Sequence, residues 1–343
     1  MIATSDSSQR TAGQQGRLAC LRPRTVHMIV RLLSRLAILA VILATLATTA
    51  ALGARLNWFL ELFAHFAVQY LALLALAATL CLAFRLWPWA LLALVAAVPN
   101  VLAVAPYLPG LISAPAPVAA MPVSLIAMNL LYRRQATAAT RTYLERQSAD
   151  LLILSEITPR WREKLRALEG KYPYFAIRPR PNPWGIAVYS KYPLQAIEDL
   201  DLGDDRSSHL RVLVQLPGGL AEIYAVHLAS PPRPRRARQR NTQLRLLAER
   251  IAAADPDLPK IVAGDFNSTP FSPYFQDLLR DAGLRDGRRP FGLQVTWPMW
   301  PIPLWIPIDH CLVSHGVIVT RVATGPSTGS DHLPLECTVS LAP

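Results

Sequence analysis

The stretch KIVAGDFNSTP, residues 260–270, decides the fold. Its first half is apolar and reads as a buried strand. Its second half turns polar abruptly, at Asp265 and Asn267. A carboxylate at the end of an apolar strand is costly unless it is paired or binds a metal. The same signature recurs along the chain. Asn129 closes VSLIAMN, Glu156 closes DLLILSE and His227 closes AEIYAVH. Asp309 and His310 open the run IDHCLVS, and Asp331 and His332 stand in GSDHLPL, just before LECTVSL. Each alone reads as a turn, a cap or a satisfied core residue. Gathered at one sheet edge, they form a set of hard oxygen donors and imidazoles. That set suits Mg²⁺ or Mn²⁺ beside a phosphate, and it does not suit zinc.

Between these ends, short β-type runs alternate with helical stretches such as 137–147 and 235–254. LRVLVQL and AEIYAVHL flank Pro217, Gly218 and Gly219, a turn signal between two paired strands. The alternation predicts an α/β layered domain over residues 123–343, long enough to bury its own core.

Upstream, the composition changes. Residues 1–110 hold eight Arg, no Lys and only two acids, Asp6 and Glu61. Residues 1–27 read as a basic cytoplasmic tail without the apolar mass to fold. Three apolar runs follow, at about 36–52, 58–84 and 87–107, each close to the roughly 20 residues a helix needs to cross a bilayer. The region 28–107 is therefore expected to form three transmembrane helices, and the proline-rich 108–122 a linker. Arg10, Arg17, Arg22, Arg24, Arg31 and Arg35 crowd one flank, whereas the first loop carries Arg55 alone. By the positive-inside rule the N-terminus is cytoplasmic, which leaves the C-terminal domain outside after three crossings. Glu61, His65 and Gln69 recur every four residues in the second run. They read as a polar seam between packed helices, with an intramembrane functional path as the alternative.

The full chain is 52% hydrophobic with a net charge of +12, shared evenly between residues 1–110 and the remainder. A modest positive balance on the C-terminal domain favours an anionic substrate or surface, or is simply a solvated basic face. The four cysteines show no CxxC spacing, which argues against a structural zinc site. Cys311 and Cys337 fall in strand-like runs and are expected as core thiols, with a disulfide as the alternative.

The ordered series N…E…H…GDFN…IDH…SDH resembles the endonuclease/exonuclease/phosphatase superfamily, in a membrane-anchored bacterial form. GDFNSTP and GSDHLPL are its specific elements, and the resemblance covers the domain from Val123 onward. It implies a four-layered α/β sandwich, two packed, mostly antiparallel sheets flanked by helices, here preceded by the transmembrane helices. It further implies Glu156, Asn129 and Asp331 at a Mg²⁺ or Mn²⁺ site. Asp265 would orient or deprotonate water, with Asn267 holding it. Asp309 would fix His332 against the phosphate, and His227 would contact a second phosphate oxygen or assist the leaving group. One departure concerns Leu130, Leu131 and Tyr132, where many members carry an acid or Asn for a second metal.

The expected activity is metal-assisted in-line hydrolysis of a phosphodiester or phosphomonoester. The motifs name no leaving group, so a lipid, a small phosphoester and a nucleic acid all remain. Residues 231–250 carry seven Arg, among which Arg240 is a candidate to reach substrate. TWPMWPIPLWIP, residues 296–307, cannot be a regular helix or central strand, because four Pro interrupt it. Its Trp297, Trp300 and Trp305 would stack bases, dip into a membrane interface or pack on the domain. Lipids of a bacterial inner membrane are the expected surroundings, with the catalytic domain periplasmic. A membrane-tethered nuclease and a non-catalytic binding module are the competing readings.

Overall fold

The structure, a computed structural model, describes residues 23–111, 121–133, 138–204 and 206–342. Most of the expected basic tail and of the linker lies outside these residues.

The N-terminal part comprises α1 (Pro23–Leu52), α2 (Trp58–Ala64), α3 (Ala67–Ala83) and α4 (Trp87–Val104). Two helices, at His27–Leu52 and Trp87–Tyr107, are each long and apolar enough to cross a membrane, not three. The middle run, expected as one span, breaks at His65 and Phe66 into α2 and α3, bent by 62°. Glu61, His65 and Gln69 do not face a neighbouring apolar helix; they bond to Arg240, Thr269 and the Trp305 carbonyl of the C-terminal domain. The stripe spans the bend, with Glu61 on α2 and Gln69 on α3.

Packing in this part is inverted relative to a soluble bundle. Ala37, Val41, Ala44, Ala77, Ala90 and Ala93 form the interior. Leu36, Leu39, Leu46, Leu91, Leu94 and Leu102 are exposed on the outside. Small residues let helix backbones approach closely, the pattern of helices packed in lipid.

The C-terminal domain begins with β1 (Val123–Asn129), α5 (Ala138–Arg146), β2 (Leu151–Ser155) and α6 (Pro159–Lys164). Strands β3 (Tyr174–Arg178), β4 (Ile186–Ser190), β5 (Leu194–Asp199), β6 (Leu210–Leu216) and β7 (Gly219–His227) follow. Then come α7 (Pro234–Ala252), β8 (Lys260–Asp265), α8 (Pro273–Asp281), β9 (Arg285–Asp286), β10 (Asp309–Val313), β11 (Val317–Thr324) and β12 (Leu335–Leu341). They build two six-stranded sheets, ordered β11-β12-β1-β2-β4-β3 and β5-β6-β7-β8-β10-β9. Each is antiparallel except for one parallel pair, β1 with β2 and β7 with β8.

The strands' two-residue period separates the layers. Leu125 and Ala127 face the core between the sheets, together with Val212, Ile223 and Ala263. Ile126 and Met128, on the other face of β1, pack beneath Leu144 of α5 and Trp161 of α6. Leu244 and Leu247 of α7 and Phe275 of α8 cover the second sheet. The result is the four-layered sandwich. Cys311 and Cys337 are both buried, free thiols in the central core.

Candidate active site

Strand register assembles the site. In the second sheet His227 pairs with Asp265 across the parallel β7–β8 pair, and Asp309 lies opposite Asp265 on β10. In the first sheet Asn129 stands abreast of Ser155, so Glu156 is the next residue along. Strand β12 runs antiparallel to β1 with Leu335 beside Ala127, which brings His332 to the same end. Six chain segments therefore deliver their polar ends to one edge.

Close backbone approach makes this possible. A Cβ on Gly264 would lie 2.0 Å from the Val226 carbonyl, and its φ of 137° favours glycine. Glu156 (φ 63°) and Asn267 (φ 48°) both sit in the left-handed region, which costs an L-residue about 1–3 kcal/mol. Strain of this kind, at two of the expected site residues, marks a segment held for function.

The side chains interlock. Asn129 Nδ2 donates to Glu156 Oε1 (3.1 Å) and to Asp265 Oδ2 (3.0 Å). Its Oδ1 accepts from the Leu131 N–H, and Asn129 bridges two carboxylates beside the expected metal position. The Tyr132 N–H donates to Glu156 Oε2 at 2.7 Å. Backbone N–H groups thus occupy the side where many superfamily members carry a second acid. Asn267 donates its backbone N–H to Asp265 Oδ1 at 2.8 Å and its side-chain amide to the Leu228 carbonyl. His332 Nδ1 meets Asp309 Oδ2 at 2.8 Å, which leaves Nε2 3.8 Å from Asp265 Oδ2. His227 Nε2 lies 3.5 Å from the same oxygen, and its Nδ1 bonds to the Pro183 carbonyl.

Burial alone would hold the His332 imidazole neutral, but Asp309 and Asp265 outweigh it and push its pKa up to about 10. Burial, opposed by the His332 charge and reinforced by Asp309, pushes the Asp265 carboxyl above its ordinary range. Asp309 and Asp265 thus favour the charged form of the His332 imidazole, and burial favours the protonated form of Asp265.

The donor set fits a hard divalent cation. Asp265, Asp309 and His332 offer ligand atoms within 4.8 Å of one another, and with His332 charged the carboxylate oxygens are the donors left for such an ion. Asp309 Oδ1 and Asp331 Oδ1 are buried without a hydrogen-bond partner. Orphaned carboxylate oxygens are rare unless something else satisfies them. Asp331 is oriented by Trp297, whose Nε1 donates to Oδ2 at 3.2 Å.

The four expected substrate contacts take different positions. Arg240 has no solvent exposure, and its guanidinium is consumed by Glu61, Asn241 and the Asn267 carbonyl. It backs the site through the Asn267 carbonyl and has no exposed surface. The Trp loop divides: Trp297 turns in to Asp331, Trp300 is 77% exposed, and Trp305 gives its carbonyl to Gln69.

Other participants were not singled out from sequence. Ser330 Oγ donates to the Asn129 carbonyl and accepts from the His332 N–H, tying the β11–β12 connection to the end of β1 at the site. Ser330 lies inside the quoted GSDH motif, so its signal was present. His209 accepts the His227 N–H, and Trp184 lies 5.4 Å from the His227 ring. Trp184 opens a cleft of about 1030 Å³ lined by Arg180, Arg206, Arg233, Arg236 and Arg238. Arg236 stands over the Trp184 ring at 4.4 Å.

Paired mixed sheets with carboxylates and imidazoles at one edge define a phosphoester-hydrolase type of sandwich. The match to the Endonuclease/Exonuclease/phosphatase family runs over residues 126–332, and the chain belongs to that family. Its members are hydrolases acting on phosphoester bonds. Among solved structures, the chain is similar to D. rerio TDP2 complexed with single-strand DNA product (19% identity, TM-score 0.54), over 64% of this chain and 99% of that one. It is also similar to the endonuclease/exonuclease/phosphatase from Bacteroides vulgatus, at 16% identity and TM-score 0.53, over 64% and 99%. The protein of that description from Beutenbergia cavernae gives 20% and 0.50, over 64% and 72%. At these identities the likeness is one of fold. No curated protein sequence matches.

Proposed function

We propose that this chain is a membrane-anchored, divalent-metal-dependent phosphoesterase acting on a lipid-linked or small phosphodiester. The observation that carries the proposal is the alignment of His227, Asp265 and Asp309 in one register, with His332 ion-paired to Asp309. Glu156 and Asp331 would hold the cation, which would supply Lewis-acid stabilisation of charge on the phosphoryl oxygens. Asp265, with Oδ1 fixed by Asn267, presents Oδ2 to orient a water and accept its proton. His332, kept charged by Asp309, faces a phosphate oxygen through Nε2. His227 stands across Asp265 Oδ2 and reaches the leaving-group side, next to the Arg-rich cleft.

Membrane anchoring is supported by the two long apolar helices, by the outward Leu and inward Ala of the N-terminal part, and by where helix ends fall. Arg55, just after α1, pairs with Asp277 of the catalytic domain at 2.6 Å, and Tyr107, just after α4, packs on Phe271. If α1, the bent pair and α4 all cross, those ends share one side and the N-terminus takes the other. The positive-inside bias then makes the N-terminus cytoplasmic and the catalytic domain periplasmic.

The test uses the full chain in detergent with an aryl phosphodiester. Turnover should require Mg²⁺ or Mn²⁺ and stop with EDTA, and Glu156→Gln should raise the metal requirement and cut the rate by orders of magnitude. Undiminished turnover in EDTA would overturn the reading. A parallel screen with single-stranded DNA separates a tethered nuclease from an esterase of smaller or lipid-linked substrates.

A further inference from the structure

A cavity of about 320 Å³ lies between the bent helix pair and the catalytic edge. Leu62 and Phe66 form its wall on the membrane-segment side, and Trp297 and Ile306 the wall on the catalytic domain. Asn267, whose N–H holds the catalytic carboxylate Asp265, is also part of the lining. An apolar cavity therefore adjoins the residue that fixes the proposed water-activating group.

Its chemistry selects the occupant. A base or sugar placed there would bring polar atoms to aliphatic and aromatic walls, at the full cost of desolvation. The Asn267 amide is already given to the Leu228 carbonyl. Besides Asn267 the polar lining is His65, with Nδ1 bonded to Thr269 and Nε2 without a partner, and Ser230; the other seven lining residues are apolar. The volume lies at the lower end of the range for ligand pockets and suits a slender group. The wall itself comes from the junction where α2 turns into α3, an apolar helix.

We infer that this cavity receives the hydrocarbon chain of a membrane-borne phosphoester whose phosphate sits at Asp265 and His332. The inference rests on the phosphoesterase reading of that site. The chain enters beside Asn267, and the polar leaving group extends past His227 toward the Arg-rich cleft. Membrane helix and catalytic domain thus share one substrate-binding wall.

The test uses full-length protein in one detergent, with Mg²⁺, and 4-nitrophenyl alkyl phosphodiesters from methyl to dodecyl. For wild type, kcat/KM should rise about two- to fourfold per added methylene until the cavity is filled. Leu62→Trp fills the cavity, so it should flatten the rise of kcat/KM with chain length. Phe66→Ala enlarges it and should move the plateau to longer chains, a gain that a misfolded protein cannot show. Partition into detergent is common to all three proteins, so the differences between them report on the cavity. Should Leu62→Trp also lose the methyl ester, the Phe66→Ala plateau decides. Superimposable chain-length curves, or a flat wild-type curve, would overturn the inference and leave the phosphoesterase reading standing. No turnover of any ester by wild type would overturn that reading, and the inference with it.

Discussion

Glu61 on α2 and Arg240 on α7, 179 residues apart in sequence, meet in an ion pair with both side chains buried. Arg240 also donates to the Asn267 carbonyl at 3.0 Å, and Asn267 donates to Asp265 at 2.8 Å. Ser272 adds a hydrogen bond to the same Glu61 oxygen. The N-terminal helices therefore reach Asp265 through the Glu61 and Arg240 side chains and the Asn267 backbone. Burial acts to lower the Arg240 pKa, and Glu61 opposes it. The pair is costly to make and more costly to break from one side.

Removing one partner leaves an uncompensated buried charge. Glu61→Leu should destabilise the full-length protein by about 3–5 kcal/mol, whereas Glu61→Leu with Arg240→Met should recover much of that loss. Thermal unfolding in detergent reads both. The double variant should still turn over more slowly than wild type, because the Asn267 carbonyl has lost its anchor. Additive single and double effects would show that the pair is not coupled.

Asp309 acts on His332. Asp309→Asn removes the leading support for the His332 charge, so its raised pKa should fall toward the ordinary imidazole range. Turnover at neutral pH should drop by about 10²–10⁴-fold. The sign on the pH axis follows: wild type loses the imidazolium only as pH rises toward about 10. The variant should lose activity on the alkaline side several pH units earlier. An alkaline limb that does not move would mean that His332 carries no catalytic charge.

Much of this was legible before any coordinates. Polar residues closing apolar runs located Asn129, Glu156, His227 and Asp265, because strand alternation exposes an out-of-place carboxylate. The turn at Pro217 and Gly218 was equally plain, and β6 pairs with β7 across it. What sequence could not supply was long-range pairing. Glu61, His65 and Gln69 form a helical stripe whatever they face, and no local pattern reveals that the partners are Arg240, Thr269 and Trp305. For the same reason Arg240 looked like one exposed arginine among seven. The break between α2 and α3 has no proline or glycine to announce it, and these contacts flank it. Asn129 was expected to offer an oxygen, but which amide atom faces the carboxylates depends on the Leu131 backbone.

His209 gives a stability test at the acid side. Burial, with the nearby His227 charge, lowers its pKa to about 3. The unfolded chain takes up that proton near pH 6.5, while the folded chain refuses it down to about 3. The unfolded state binds more protons across that window, so this residue's contribution to stability is lost as pH falls through it. Asp265, with its carboxyl raised, contributes the opposite trend and must be common to both proteins compared. His209→Gln should therefore flatten the difference in Tm between pH 7 and pH 4 relative to wild type, with EDTA present in both. A steeper decline in the variant would contradict the assignment of a neutral buried imidazole.

The Trp loop separates three roles that its sequence left together. Trp297 orients Asp331 through Nε1, so Trp297→Phe keeps an aromatic wall and removes only the donor. If Asp331 is a metal ligand, the Mg²⁺ concentration for half-maximal activity should rise about 10–100-fold, the usual cost of losing a group that orients a ligand. Trp300 is 77% exposed, and an exposed indole prefers the membrane–water interface. Trp300→Ala should leave Tm and turnover of a soluble aryl diester unchanged, and lower activity on phospholipid in vesicles several-fold. Trp305 is half-buried beside α3, so Trp305→Ala should lower Tm first and all activities with it. A uniform loss of activity and stability across the three variants would reduce the whole loop to packing. Loss of single-stranded DNA affinity in Trp300→Ala, at about 1–3 kcal/mol, would instead favour base stacking over an interfacial role.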